Sequence, residues 1–110
     1  MITKDLLDYL SSRLSVGVYM EAPAQPTNYV LLDQTGSSRT NHIITTTIAI
    51  QSYAPSLYEA MLLNEEVKAT MTGFLELAQV TRVELDTDYN FTNTATKQYR
   101  WQAVYFITHY

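Results

Sequence analysis

The two histidines, His42 and His109, are the side chains best suited to proton transfer or metal binding near neutral pH. They stand far apart, and neither has the His-x-x-x-His spacing that would place two imidazoles on one helical face. Each falls at the end of a β-rich stretch, where an ordinary strand-end residue is the better reading. Asp86, Asp88 and Asn90 alternate as oxygen donors. A calcium loop needs more oxygens at set positions and a glycine for its turn, so solvation of a turn is the better reading here. Glu65 and Glu66 lie on the wet side of a helical stripe and read as a solvated face. Ser52 and Ser56 lack the Gly-x-Ser-x-Gly elbow that presents a nucleophile. The three glycines, Gly17, Gly36 and Gly73, are too scattered to cradle a phosphate. With no cysteine there is neither a thiolate nor a disulfide framework. The residues therefore predict no catalytic centre, no cofactor site and no metal site, which leaves a binding or structural role.

Composition narrows that role. At 110 residues and 46% hydrophobic content, the chain is expected to form one domain, residues 1–110, with its own core. Net charge is −4, and the seven Lys and Arg are dispersed, which disfavours capture of a phosphate backbone. No apolar leader opens the chain and no apolar run approaches the roughly 20 residues that span a bilayer, so no membrane association is expected. Asn90-Phe91-Thr92 matches a glycosylation acceptor, but without a secretory signal it is read as coincidence. Nine tyrosines combine apolar area with a hydroxyl, which suits half-wet surfaces and interfaces as well as strands.

The element that positions everything else runs from Ile43 to Phe74. Ile43 to Tyr53 is dense in β-branched residues, with Ile44, Thr46, Ile48 and Ile50 on one face by alternation. Pro55 ends this strand. Ser56-Leu57-Tyr58-Glu59 reads as a capping box, and Leu57, Met61, Asn64, Val67, Met71 and Phe74, flanked by Ala60 and Leu63, read as the buried stripe of a helix. Gly73 is expected to close that helix in the left-handed region. Upstream, a first helix is expected after a Thr3 cap, with Ile2 and Leu7 as a staple, a stripe of Leu6, Leu7, Leu10 and Leu14, and Gly17 at its exit. Val16, Val18 and Met20 alternate as a short strand; Glu21 to Thr27 is a loop bracketed by Pro23 and Pro26; Tyr29 to Leu32 is a second strand.

Gly36 to Asn41 is small and polar and is expected to be the flexible loop of a long hairpin, with Arg39 as its one cation and a candidate for gripping a carboxylate. Downstream, Val83 and Leu85 of Val80–Leu85 point inward by alternation. Asp86 to Thr96 reads as a turn-rich loop in which Tyr89 and Phe91 are apolar exceptions expected to dock on something. The last strand, from about Gln98 to Tyr110, sets Tyr99, Trp101, Ala103, Tyr105 and Ile107 on one face and Val104 and Phe106 on the other. Apolar residues on both faces predict two coverings, one of them from a partner subunit. The expected fold is α+β: a mostly antiparallel sheet of about five strands with two helices on one side, in the order α-β-β-β-α-β-β.

One family resembles this chain along nearly its whole length. The residues that carry the likeness are Leu32 to His42 (LDQTGSSRTNH), Ile48 to Tyr53 (IAIQSY), Tyr58-Glu59-Ala60 with Leu63-Asn64, Val83-Glu84-Leu85, Asp88 to Thr92 (DYNFT) and Lys97 to Ala103 (KQYRWQA). They look like the tail terminator, or tail-to-head joining, proteins that complete the tails of long-tailed bacteriophages and prophages. The resemblance implies a hexameric ring in the virion, at the head–tail interface, assembled in the host cytoplasm. The ring would cap the tail tube protein and meet a head completion or connector protein, and DNA would pass through its lumen without specific binding. It implies a structural protein and not an enzyme, with a subunit that is monomeric in isolation and assembles on the tube. Arg39, Tyr89 and Phe91 are the expected interface residues. A head-side connector or stopper ring is the alternative within this class, and a small ligand-binding α+β domain with a deep polar pocket is the alternative outside it.

Overall fold

A computed structural model describes residues 1–23, 28–96 and 98–110. The fold is α+β. Its elements are α1 (Ile2–Arg13), β1 (Gly17–Tyr19), β2 (Tyr29–Thr40), β3 (Ile43–Ala54), α2 (Leu57–Met71), a short 3-10 helix (Thr72–Glu76), β4 (Val80–Asn90) and β5 (Tyr99–His109). The order is the one the sequence predicts. One five-stranded sheet runs β1-β2-β3-β5-β4. Only the β1–β2 pair is parallel. The path β3–α2–β4 is a βαβ-like crossover that steps over β5, as expected of a strand feeding straight into a helix. The loop expected over Glu21 to Thr27 lies partly outside the described residues.

Both helices pack on one face of the sheet. Leu6 and Leu10 of α1, Ala60, Val67 and Met71 of α2, and Phe74 meet Val30, Leu32, Ile48, Ile50, Ala103 and Ile107, and all are fully or almost fully buried. The Ser56 hydroxyl caps α2 by accepting from the Glu59 backbone N–H at 3.2 Å, as its spacing predicts. Among the described residues no helix is long and apolar enough to cross a membrane.

Several local expectations are corrected. The first helix begins at Ile2 and not after Thr3: Thr3 is buried, and its hydroxyl bonds the Gln34 side chain of β2 instead of capping. Gly17 does not mark the helix exit, which lies at Leu14; it opens β1. Gly73 has no left-handed backbone, because α2 tightens into a 3-10 turn there. A glycine is needed for a different reason: a Cβ at Gly73 would meet the Tyr9 hydroxyl. Met61 is exposed, leaving the buried stripe of α2 to Ala60, Leu63, Asn64, Val67 and Met71. Leu85 faces the helical side by register with Tyr105 but stays exposed on the edge strand β4.

The first of the two expected loops is mostly strand and the second partly so. Gly36 to Thr40 continues β2 in register with β3, from Gly36 opposite Thr47 to Thr40 opposite Ile43. Only Asn41 and His42 turn, both with positive φ (50° and 71°). That is the two-residue hairpin of type I′, whose twist matches the flanking strands. Asp86 to Asn90 likewise belongs to β4, carried past a bulge between Leu85 and Thr87. Paired backbone overrides the local preference of Gly, Ser, Asp and Asn for turns.

Candidate interface surface

The alternation of β3 and β5 sorts their side chains onto two faces. Thr46, Ile48, Ile50, Ala103, Tyr105 and Ile107 lie under the helices. The opposite face carries Gln51 and Tyr53 from β3, Arg100, Gln102, Val104 and Phe106 from β5, Tyr29 and Leu31 from β2, and Tyr89 from β4. No described helix lies on it. Yet Tyr53 is only 5% exposed, and Gln51 and Gln102 only 8% each. These side chains bury one another by lying flat along the sheet.

What lets polar groups lie flat is that they bond among themselves. The Tyr53 hydroxyl donates to Gln51 Oε1 at 2.8 Å. Gln51 Nε2 donates to Gln102 Oε1 at 2.8 Å, and Gln102 Nε2 donates to the Tyr89 hydroxyl. Arg100 donates from Nη1 to the Tyr53 hydroxyl at 3.0 Å and from Nε to the Phe91 carbonyl at 2.6 Å. Its guanidinium also stacks over the Phe91 ring, 4.3 Å from the centroid. Tyr89 meets Phe91 edge-on at 5.8 Å, and Tyr29 stacks on Tyr53 at 4.5 Å. Tyr19 meets Tyr29 edge-on at 6.1 Å. Gly17 permits this, since a Cβ there would run into the Tyr19 ring. Burial, with Tyr53 alongside, pushes the Tyr29 phenol above its ordinary pKa, against the opposing pull of Arg100.

Of the three residues expected at an interface, Tyr89 and Phe91 are brought together and joined to this network. Arg39 is not. It is exposed on β2 opposite Ile44, which pairs with His109, whereas Tyr89 pairs with Gln102. Seven residues of β5 separate those positions, about 23 Å at roughly 3.3 Å per residue. Among the described residues Arg39 makes no ion pair. Sequence reasoning missed Arg100, Gln51 and Gln102. The available signal was register: Tyr53, Gln51, Gln102 and Arg100 share a face only when β3 and β5 are known to be neighbours.

Of the chemistry-bearing residues considered first, His109 and Asp88 have side-chain partners, whereas the buried Ser52 hydroxyl makes no hydrogen bond among the described residues. His109 is buried; its Nδ1 faces the Tyr110 carbonyl at 3.1 Å, and its Nε2 faces the Thr46 hydroxyl at 2.9 Å. A carbonyl only accepts, so Nδ1 donates to it, and in the neutral imidazole Nε2 is then an acceptor for the Thr46 hydroxyl. His42 is a hairpin-turn residue. Asp88 receives Lys68 Nζ at 2.9 Å and Asn64 Nδ2 at 2.8 Å, which ties α2 to the edge strand β4. The Lys68 ammonium holds the Asp88 carboxyl below its ordinary pKa, helped by Asn64 and Trp101 and opposed by burial. Tyr105 beneath α2 is pushed up to about 12, chiefly by burial. Among the described residues no three His, Cys, Asp or Glu side chains gather as metal ligands would. No protein-family model matches this chain, and no curated protein is significantly similar to it in sequence.

Proposed function

We propose that this protein is a structural ring subunit that completes a bacteriophage tail: it caps the tail tube protein, meets the head completion or connector protein, and lets DNA pass. The family resemblance supplies the ring, its six-fold order and its place in the virion. The observation that supports the reading is the uncovered sheet face. Its amides and hydroxyls are bonded to one another, so a partner can exclude water from it without stranding them. Aromatic residues and arginine on such a face are the composition of an interface core. Charge agrees with passage of DNA: six copies of a −4 chain carry about −24, which repels phosphates and opposes sticking. The subunit works without catalysis, cofactor or metal in this reading. A subunit that is monomeric when dilute assembles on the tube because neighbours are held at high local concentration.

The test is electron microscopy of phage lacking this protein and of phage carrying Phe91→Asp. Overgrown tails, or tails that fail to join heads, are expected in the deletion. Normal virions after deletion refute the function. Normal virions with Phe91→Asp alone remove Phe91 from the interface.

A further inference from the structure

Two surfaces of this subunit lack a partner, and they complement each other. The first is the open sheet face, whose centre of Ala49, Thr47, Val104 and Phe106 is uncharged. Beside Phe106 lies a groove of about 340 Å³ lined by Gly36, Ser37, Ser38, Thr45, Thr47 and Phe106. The second is the outward side of α2. A globular helix ordinarily has one apolar stripe. Here α2 has a second one in its first turns: Tyr58, Met61 and Leu62 lie at i, i+3 and i+4 and are 69%, 42% and 51% exposed. Glu59 and Glu66 flank it, and Glu65 beside them is already paired with Lys68 at 3.0 Å. On the sheet face the cations Arg82 and Arg100 stand toward β4. Glu84 on that face is already paired with Arg82 at 3.3 Å, and Asp33 lies at the opposite edge.

We propose that the outward stripe of α2 in one copy seats on the open sheet face of the next copy, so that every sheet has helices on both sides, one set its own and one its neighbour's. Two different surfaces of the same chain then meet head to tail. Such a contact does not close on itself as a dimer and instead generates a ring or a filament. The inference rests on the ring proposed above and names the surfaces that build it. It accounts at once for the apolar residues on both faces of β5 and for the second apolar stripe of α2. A bulky α2 side chain enters the groove beside Phe106, and the acids flanking the stripe meet Arg82 and Arg100.

A mixing experiment tests it by sedimentation velocity up to about 1 mM, where contacts of millimolar Kd are visible. Leu62→Asp blocks the helix stripe, and Thr47→Glu blocks the sheet face; both positions tolerate a polar side chain at the surface, and a thermal melt checks that each variant folds. Phe106→Glu serves as a second sheet-face variant. Wild type should self-associate, and each variant alone should weaken association at least tenfold. Leu62→Asp mixed with Thr47→Glu should form a one-to-one dimer and nothing larger, because one intact stripe and one intact face remain and the two altered surfaces repel each other. Variants that fold and associate like wild type overturn the seating while leaving the ring open. A mixture that stays monomeric overturns the head-to-tail pairing. Wild type monomeric at about 1 mM also overturns it, and the ring reading is then decided separately by the tail phenotype.

Discussion

Replacing Gly73 with alanine should destabilise the fold through one atom, the Tyr9 hydroxyl oxygen. Gly73 lies in a 3-10 turn with no positive φ, so alanine meets no backbone strain there. In helical backbone alanine is favoured over glycine by about 1 kcal/mol. The added Cβ, however, runs into the Tyr9 hydroxyl; the next nearest atom, Tyr9 Cζ, is at an ordinary 3.6 Å. Tyr9 cannot yield easily. Its hydroxyl donates to the Thr70 carbonyl at 2.8 Å, its ring lies 5.2 Å from Phe74, and Arg13 covers it at 4.0 Å. Displacing it loses a hydrogen bond worth about 1 kcal/mol and adds overpacking strain of about 1–3 kcal/mol. Against the helical gain, Gly73→Ala should cost about 1–3 kcal/mol. In a Tyr9→Phe background the obstructing oxygen is gone, and the same change should be neutral or stabilising by up to about 1 kcal/mol. Urea denaturation of the four proteins, with equal m-values, reads the coupling as the non-additive part of the midpoint shifts. An equal cost of Gly73→Ala in both backgrounds would refute the reasoning.

Leu63→Ala should cost about 2–3 kcal/mol, toward the low end for a buried leucine because a groove of about 230 Å³ opens beside it; Leu62→Ala, one residue on and exposed, should stay within about 0.5 kcal/mol by thermal melt. Asp88→Asn should cost about 1–2 kcal/mol at neutral pH, since the Lys68 and Asn64 contacts are only partly shielded from water. The folded carboxyl lies below its unfolded value near 4, so this stability is present above about pH 4 and is lost as pH falls through the folded value. Melts of the two proteins should therefore converge in acid; a gap that persists at low pH would contradict the latch.

The fold was legible where one signal was long and unopposed. Eleven residues of β-branched strand, a proline and a capped helix specify Ile43 to Met71 almost unaided, and the Ser56 cap is found where its spacing puts it. The hairpin arm was not legible, because Gly36, Ser37 and Ser38 favour turns locally while pairing with Thr47, Thr46 and Thr45 holds them extended. The sequence also predicts strand-end positions for both histidines without revealing that His109 is buried on Thr46, a contact across 63 residues. The candidate surface was half visible. Tyr89 and Phe91 announce themselves as apolar residues in a polar stretch, whereas Gln51 and Gln102 look like ordinary polar strand residues until β3 and β5 are placed side by side.

Those two glutamines decide whether the open face is ever covered. Gln102→Leu removes the link between Gln51 and the Tyr89 hydroxyl while keeping side-chain volume. In the free subunit no described helix lies over this face, so water can replace the lost partners and stability should change by less than about 1 kcal/mol. Once a neighbour covers the face, water is excluded, and each orphaned group costs about 1–3 kcal/mol. Association should then weaken roughly 5- to 150-fold with the monomer's melt nearly unchanged. The double variant Gln51→Leu with Gln102→Leu removes both amides, leaving the Tyr53 hydroxyl, which still accepts from Arg100, and the Tyr89 hydroxyl on a side chain 38% exposed. Its association should recover most of the loss, because replacing both partners by apolar groups of like shape is close to neutral. A lone Gln102→Leu that associates as tightly as wild type means the face stays wet in the assembly. A double variant no better than the single means that the amides contact the neighbour directly instead of satisfying each other.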